Sequence, residues 1–180
     1  ANLIAEEKGA LLLERAVPGY SLKDYFPEMD AEAITIVCHL MHRLHQASIP
    51  NQNKLPHIKD WLSILLHEHD IPVEILAKVR RLSSKLLQTS GPDVLLHGDL
   101  HHDNILKNGT DDWIAIDPKG LIGEASFEVG AFIRNPIPDL LNQINPQAFI
   151  HNRINLFAQF LNAPKSRIYA WCYVQSVLAW

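Results

Sequence analysis

Residues 95–120 constrain the fold of this chain more than any other stretch. They hold two short apolar runs, each with the length of a buried strand, and each run ends in polar side chains. The first run leads to His97 and Asp99, and Asn104 follows Asp99 by five residues. The second run leads to Asp117. Chemistry that needs a base and metal-binding oxygen atoms in one place could be built from these groups.

The segment between the two runs predicts how they meet. An Asn-Gly dipeptide at 108–109 and an acidic pair at 111–112 are typical of a tight turn. Residues 105–107 and 113–116 should therefore pair as a small hairpin that carries the polar groups at its ends.

The rest of the chain has mostly helical patterns. Residues 3–15 predict a hairpin at the front of the chain, and residues 49–56 predict a loop. We expect helices from Asp30, as the N-cap, to about Ala47, around Trp61–Leu66, from about Asp70 to Gly91-Pro92, over Phe127–Arg134, from Asn145-Pro146, and from Pro164 to the end. The predicted class is α+β, a helical body with a small β insert.

Composition excludes several classes of protein. With 180 residues, of which 47% are hydrophobic, the chain suits one globular domain or a large piece of a two-lobed one. A net charge of −4 argues against a nucleic-acid partner and leaves room for a cationic small-molecule substrate. The sequence contains no membrane-span-like run and no signal-peptide pattern, and its two cysteines look like small buried hydrophobes. We therefore expect a cytoplasmic location.

Phosphoryl transfer from ATP is the chemistry that these polar groups fit best. It needs a carboxylate that orients the accepting hydroxyl and takes its proton, and oxygen ligands that hold Mg²⁺ against the phosphates. The spacing of five between Asp99 and Asn104 matches the catalytic loop of protein kinases, in which Asp is the base and Asn a metal ligand. Asp117, at the end of the following hairpin, stands where a second metal ligand would fall.

Three segments resemble a known family. HGDLHHDNIL, from residue 97, resembles the His-Gly-Asp-Leu-His-x-x-Asn motif of the aminoglycoside phosphotransferases. AIDPKGLIGEASFEVGAFIRNP, from residue 115, resembles the Ile-Asp-Pro-Lys-Gly stretch of their streptomycin 6-phosphotransferase and hydroxyurea-resistance kinase branch. LLLERAVPGYSL, from residue 11, resembles the hinge of that family. The resemblance implies a protein-kinase-like fold, with residues 1–20 as the end of the N-terminal lobe and hinge, and 21–180 as the helical C-terminal lobe.

The resemblance also implies roles for individual residues. Asp99 would be the catalytic base, and Asn104 and Asp117 the Mg²⁺ ligands. His97 would brace the loop. Two further sets of groups would hold ATP, namely the backbone from Glu14 to Ala16 at the adenine edge and Lys119 at a phosphate. The implied enzyme is a small-molecule kinase that acts on a streptomycin-like aminoglycoside or hydroxyurea, an activity that would fit a role in antibiotic resistance. An endogenous sugar or amino alcohol is the alternative acceptor.

The chain departs from the family pattern in two respects. The Gly-Asp-Pro-x-Tyr-Asp motif that follows the metal-binding Asp is replaced here by GEASFE at 123–128. The phosphate-binding glycine-rich loop and its lysine should precede Ala1, and residues 169–180 stay apolar with no helix stop signal, so we expect both ends of the chain to be cut through a larger domain. The acids Glu124, Glu128 and Asp139 could bind a cationic substrate or solvate helix ends.

Other hypotheses compete with this assignment. A metal-dependent hydrolase would use the dense cluster from His97 to Asp103, with the adjacent histidines 101 and 102 as ligands. A kinase-fold protein that binds a ligand without catalysis is a third possibility. Taken singly, Asp99 and Asp117 could also be turn-capping residues at strand ends.

Overall fold

A computed structural model describes residues 1–50, 54–67 and 70–180 of the chain. It has the predicted α+β architecture. The strands are β1 Leu3–Glu7, β2 Ala10–Leu13, β3 Pro18–Ser21, β4 Asp93–Leu96, β5 Ile105–Asn108, β6 Asp112–Ala115 and β7 Leu121–Glu124. The helices are α1 Asp30–His45, α2 Ile58–Leu62, α3 Val73–Gln88, α4 Val129–Arg134, α5 Pro146–Phe160 and α6 Lys165–Leu178, with short 3₁₀ turns at Leu22–Tyr25, Ser63–Leu66, His102–Asn104 and Ala125–Phe127.

The hairpin predicted around the Asn-Gly turn is confirmed. Strands β5 and β6 pair antiparallel from Ile105 opposite Ala115 to Asn108 opposite Asp112. Gly109 has a φ of 72°, a left-handed conformation that glycine adopts without steric cost. Strand β3 adds to the other edge of β5 and makes a three-stranded sheet in the order β3-β5-β6. The division of the chain at residue 20 stays a prediction, since β3 crosses it.

A second pair of strands, β4 and β7, was not predicted as a unit. Leu96 lies opposite Leu121 and Asp93 opposite Glu124, so the strand before residue 97 is paired with the strand that follows residue 120. Gly123 lies against Ile58, where a Cβ atom would come within 2.6 Å of that side chain. The glycine therefore lets α2 pack closely on this pair.

Two buried clusters form the core. The first lies between α1, α4 and α5 and includes Val37, Met41, Phe132 and Phe157. The second lies between α3, α6 and the β4–β7 pair and includes Val79, Leu96, Leu121 and Trp171. The segment 97–104 contributes Leu100 to the first cluster, and the segment 116–120 leads into Leu121 of the second, so the packed core anchors both segments.

The structure corrects several sequence-based boundaries. Asp30 lies in the first turn of α1 and binds Arg153, while the N-cap is Met29. The helix expected around Trp61–Leu66 is α2 followed by a 3₁₀ turn, with Trp61 partly exposed and Leu65 buried. The predicted loop at 49–56 lies partly outside the described residues.

The front hairpin is confirmed, with β1 and β2 joined by a turn at Lys8 and Gly9. Its leucines at 3, 11, 12 and 13 are all exposed. None of the described helices is long and apolar enough to cross a membrane.

Candidate active site

The loop after β4 is closed on itself by a side chain. The Asn104 amide nitrogen donates a 2.9 Å hydrogen bond to the backbone carbonyl of Asp99. The Asn104 backbone N–H donates to the carbonyl of His101 at 3.0 Å, within the 3₁₀ turn. Because the nitrogen of the Asn104 amide faces the loop, its Oδ1 is the atom left to bind a ligand.

His97 joins this loop to the one after β6. Its Nε2 lies 2.8 Å from the carbonyl of Ile116, and its Nδ1 lies 3.3 Å from the backbone nitrogen of Asp99. The His97 carbonyl accepts hydrogen bonds from the backbone N–H groups of Lys119 at 2.8 Å and Gly120 at 3.1 Å. These contacts are those expected of a residue that braces the loop. Burial is the main influence on the ring and lowers the pKa of His97.

Asp117 comes next to Asn104 through the same framework. The backbone N–H of Ile116 donates to the carbonyl of Asn104 at 2.9 Å, so Asp117 directly follows a residue that is hydrogen-bonded to Asn104. Asp117 has a φ of 54°, an uncommon conformation outside glycine that Asp tolerates better than most residues. Its side chain is 71% exposed. The carboxylate therefore stands at the surface, where a nucleotide and metal could reach it.

Lys119 lies between the two predicted carboxylates. Its Nζ is 3.8 Å from Asp99 Oδ2 and 3.7 Å from Asp117 Oδ2. Arg134, at the end of α4, approaches Asp99 from another side, with Nη2 at 3.7 Å from Oδ1. Sequence reasoning missed Arg134, because its number places it 35 positions after Asp99 and only the packing of α4 brings it back.

A cavity of about 480 Å³ opens beside Asp99. Its walls come from α2, α4, α6 and the two loops already described. The lining residues are Asp60, Trp61, Ile64, Gly98, Asp99, Lys119, Phe127, Arg134, Gln175, Leu178 and Ala179. A space of this size holds a small molecule rather than a polymer.

The predicted hinge connects to the far end of β5. The backbone N–H of Glu14 donates to the carbonyl of Asn2 at 2.8 Å, and the Glu14 carboxylate accepts from Asn108 at 3.4 Å. Asn104 and Asn108 are four residues apart, which along a strand corresponds to roughly 13 Å. This separation is comparable with the length of an extended nucleoside triphosphate.

The histidines that the hydrolase hypothesis requires do not form a metal centre. Within the described ranges, no group of three or more His, Cys, Asp or Glu side chains could hold a metal ion. His102 lies in the core and stacks on Phe132 with 3.9 Å between the ring centroids. Burial, with a smaller contribution from Arg153, lowers the pKa of His102 to about 2. The His102 side chain therefore anchors the loop to the core through its contact with Phe132.

The whole chain, residues 1–180, matches the family described as aminoglycoside/hydroxyurea antibiotic resistance kinases. The chain belongs to this family. It is 34% identical over 158 residues to a streptomycin 3''-kinase of Klebsiella pneumoniae, covering 86% of this chain and 57% of that protein. It is 30% identical over 171 residues to a hydroxyurea phosphotransferase of Kitasatospora aureofaciens, covering 91% of this chain and 47% of that protein. The chain thus spans about half the length of the curated relatives it matches.

The fold of this resistance-kinase family member also matches a solved structure. A thermostable mutant of aminoglycoside phosphotransferase APH(4)-Ia, in a ternary complex with ADP and hygromycin B, superimposes with a TM-score of 0.58. The match covers 89% of this chain and 61% of that one, at 14% identity. It confirms the predicted protein-kinase-like fold.

The two acids in the segment that departs from the family motif have internal partners. The Glu128 carboxylate accepts hydrogen bonds from the backbone N–H groups of His97 at 2.6 Å and Gly98 at 2.9 Å. Glu124 binds the guanidinium of Arg167 and the indole of Trp171. Both acids are buried, so neither is placed to bind a substrate, and each stabilises the packing around the loop.

Asp139, the third acid of that set, is partly exposed. It forms a 2.8 Å ion pair with Lys23. Its partner lies in the 3₁₀ turn after β3, so the pair joins that turn to the segment after α4.

Proposed function

We propose that this chain is the acceptor- and metal-binding part of an ATP-dependent O-phosphotransferase that acts on a small-molecule hydroxyl. One observation carries the proposal. Asp99, Asn104 and Asp117 are brought to one place by hydrogen bonds between their loops, and a cavity of small-molecule size opens beside Asp99. A base next to an acceptor pocket and to oxygen ligands is what phosphoryl transfer requires.

Asp99 is the proposed base. Its side chain is one-quarter exposed and faces the cavity, so a hydroxyl bound there can donate to it. The carboxylate orients that hydroxyl toward the γ-phosphate and takes its proton as the new O–P bond forms, while the bond from the γ-phosphorus to the bridging oxygen breaks and ADP leaves. The closed loop around Asn104 fixes the backbone of Asp99, which positions the carboxylate.

Asn104 and Asp117 would hold Mg²⁺. Both supply hard oxygen donors, which this ion prefers, and phosphates and water would complete its shell. When bound, the ion would neutralise charge on the transferring phosphoryl group. Lys119 lies within 4 Å of both Asp99 and Asp117, so its ammonium would meet a phosphate at the boundary between acceptor and nucleotide.

The hinge would bind adenine through backbone groups. The Glu14 N–H already donates to Asn2, so we assign the Glu14 carbonyl and the Ala16 amide to the adenine edge. Strand β5 separates this hinge from the metal ligands by about the length of the nucleotide. ATP would then lie along the three-stranded sheet with its γ-phosphate at Lys119.

The relatives suggest two kinds of acceptor. A streptomycin kinase and a hydroxyurea phosphotransferase are among the proteins that this chain resembles, so a streptomycin-like aminoglycoside and hydroxyurea are the first candidates. Because the chain spans about half of those relatives, the activity is proposed for the protein that carries it. Transfer to either compound would fit a role in antibiotic resistance.

Substitution of the base tests the proposal. In the protein that carries this chain, Asp99→Asn should lower phosphate transfer from ATP by about 10²–10⁴-fold, because the amide cannot take the proton. Asp117→Asn should also reduce turnover, and it should raise the Mg²⁺ concentration needed for half-maximal rate. Coupled ATP-consumption assays with streptomycin and hydroxyurea would measure both effects.

A matched control separates chemistry from loop folding. Asp103→Asn removes an exposed carboxylate from the same loop and should leave turnover within about threefold of the original, as is usual for an exposed group outside the chemistry. Full activity of Asp99→Asn would overturn the assignment of the base. Loss of activity in Asp103→Asn alone would place the chemistry elsewhere in the loop.

A further inference from the structure

The cavity beside Asp99 has a charge pattern that bears on the acceptor. Its charged lining residues are two acids, Asp60 and Asp99, and two cations, Lys119 and Arg134. Asp60 already accepts a 2.9 Å hydrogen bond from the backbone N–H of His57, as part of the cap of α2. The two further acids nearby in sequence, Glu124 and Glu128, are buried and bound internally. Among the described residues, the acidic and basic side chains that line the acceptor pocket are therefore balanced.

Arg134 is held so that its guanidinium faces both the base and the cavity. Its Nη1 donates a 3.2 Å hydrogen bond to Gln175 Oε1 on α6. Gln175 is itself fixed, because its amide nitrogen donates to the carbonyl of Phe127. Gly130 makes room for this arrangement, since a Cβ atom there would lie 2.6 Å from the Gln175 side chain. The packing of α4 on α6 thus sets the direction of the arginine.

The guanidinium keeps donors for a ligand. Arginine has five N–H donors, and in the described part of the chain the bond to Gln175 is the one hydrogen bond that Arg134 makes. Its Nη2 lies 3.7 Å from Asp99 Oδ1, which is an ion pair beyond hydrogen-bond distance. The side chain is 24% exposed, into the cavity. A half-buried guanidinium with open donors is suited to a carbonyl, carboxylate or phosphate oxygen.

We propose that Arg134 selects the acceptor, an inference that rests on the proposed function. The acceptor carries its hydroxyl next to a carbonyl or carboxylate oxygen. The hydroxyl donates to Asp99 while the neighbouring oxygen accepts from Arg134, so a small molecule bridges the two side chains and presents one hydroxyl to the phosphoryl donor. Hydroxyureas, hydroxamates and 2-hydroxycarboxylates have this arrangement.

The same geometry disfavours polycationic acceptors. A ligand with several ammonium or guanidinium groups would bring them close to Arg134, and to Lys119 before a phosphate neutralises it. Of the two acids that line the cavity, Asp99 is engaged by the two cations and Asp60 by the cap of α2, so neither carboxylate is left free to pair with them. The preferred acceptor is therefore neutral or anionic.

Steady-state kinetics with three acceptors tests this inference. The probes are hydroxyurea as the neutral compound, glycolate as the anionic one and streptomycin as the cationic one. The original protein should have a higher kcat/KM for the first two than for streptomycin. Arg134→Gln should raise the KM for hydroxyurea and glycolate about tenfold or more, because a charge-assisted hydrogen bond is lost, and should change kcat much less.

Two more variants make the result specific. Arg134→Lys keeps the charge without the planar guanidinium, so it should restore the KM for glycolate more fully than the KM for hydroxyurea. Arg81→Gln removes an exposed arginine on α3, away from the cavity, and should leave both KM values unchanged. A preference of the original protein for streptomycin, or an unchanged KM in Arg134→Gln, would overturn the inference.

Failure of the proposed function has a different signature. If none of the three acceptors supports ATP consumption, phosphotransfer to this class is wrong, and the role of Arg134 is decided by binding alone. Calorimetric titration with glycolate should then show binding to the original protein and to Arg81→Gln but not to Arg134→Gln. Equal binding to all three would overturn the assignment of Arg134 as well.

Discussion

At the scale of single residues, Glu128 shows how a departure from a motif can carry a structural role. Its two carboxylate oxygens accept from two successive backbone N–H groups, those of His97 and Gly98. The side chain is buried, so the bonds form in a medium where an unpaired partner is costly. Gly98, with a φ of 85°, turns its amide toward this carboxylate. Glu128 thus fixes the backbone at His97 and Gly98, the first two residues of the catalytic loop.

Removal of one acceptor oxygen from Glu128 should weaken its hold on the start of the catalytic loop. In Glu128→Gln the amide NH₂ would face one of the two N–H donors, which leaves a buried donor unpaired. We expect a loss of about 1–3 kcal/mol in the free energy of unfolding. Phosphate transfer should fall as well, because the Asp99 loop loses its support.

Urea denaturation and the transfer assay measure these two effects. Glu32→Gln, which changes an exposed acid on α1, is the matched control and should shift stability by no more than about 0.5 kcal/mol. Equal stability of Glu128→Gln and the original protein would contradict the role given to Glu128.

At the scale of elements, the sequence predicted those parts whose signals are local. The β5–β6 hairpin follows from an Asn-Gly turn between apolar runs, and α5 from an Asn-Pro start in which Asn145 caps Ala148. Strand β7, which is no shorter than β5 or β6, was missed because it contains a glycine and ends in a buried acid, Glu124. Its pairing with β4 is set by packing against α2 and α6, which no local pattern records.

The candidate site was predictable to the same extent. The order and spacing of Asp99, Asn104 and Asp117 were visible in the sequence because they lie in two adjacent loops. Arg134 and Gln175 come from α4 and α6, and their approach to the cavity depends on how those helices cross. The roles of the predicted residues stay predictions until the substitutions are made.

His97 gives the link between β4 and β6 a pH dependence. Its Nε2 donates to the Ile116 carbonyl and its Nδ1 accepts from the Asp99 N–H, so the neutral ring satisfies both contacts. Protonation of Nδ1 would place its new N–H against the backbone N–H of Asp99, so that hydrogen bond would be lost. The folded state therefore disfavours the charged ring, in line with the burial that lowers the pKa of His97.

The sign of the effect follows from linkage. The unfolded chain has the ordinary histidine pKa of 6.5, so below that pH it binds a proton that the folded state takes up less readily. The contribution of His97 to stability is complete above pH 6.5 and declines as the pH falls. The decline cannot exceed about 1.4 kcal/mol for each pH unit.

Urea denaturation at pH 7.5 and 5.5 tests this effect. His97→Gln keeps a donor for Ile116 but does not titrate, so it should lose less stability on acidification than the original protein. His39→Gln, which changes an exposed ring on α1, should leave the pH dependence as it was. A pH dependence that is the same with and without His97 would refute the assignment.

At the scale of the whole molecule, one buried ion pair ties distant segments together. Arg153 on α5 is fully buried and donates from Nε to both carboxylate oxygens of Asp30 on α1, at 3.1 and 3.0 Å. Its Nη1 donates to the carbonyls of Phe132 and Ile133 at the end of α4, and to that of Asn135. The guanidinium thus joins α1, α4 and α5 around the first core cluster.

Breaking this pair on one side should destabilise the whole fold. Asp30→Asn leaves the Arg153 charge buried without its counter-ion, and the expected loss is about 3–5 kcal/mol in the free energy of unfolding. Replacing both partners by apolar residues, as Asp30→Leu with Arg153→Met, should recover much of that loss, because no charge then remains to be desolvated.

A surface pair supplies the comparison. Asp139→Asn breaks the ion pair between Asp139 and Lys23, whose side chains are 43% and 39% exposed, and should cost much less stability than Asp30→Asn because solvent screens the two charges. Urea denaturation of the original protein, Asp30→Asn, the double variant and Asp139→Asn gives the order of their free energies of unfolding. If Asp30→Asn and Asp139→Asn lost similar stability, the buried pair would not be what holds the three helices together, and apolar packing of α1 on α5 would have to account for it.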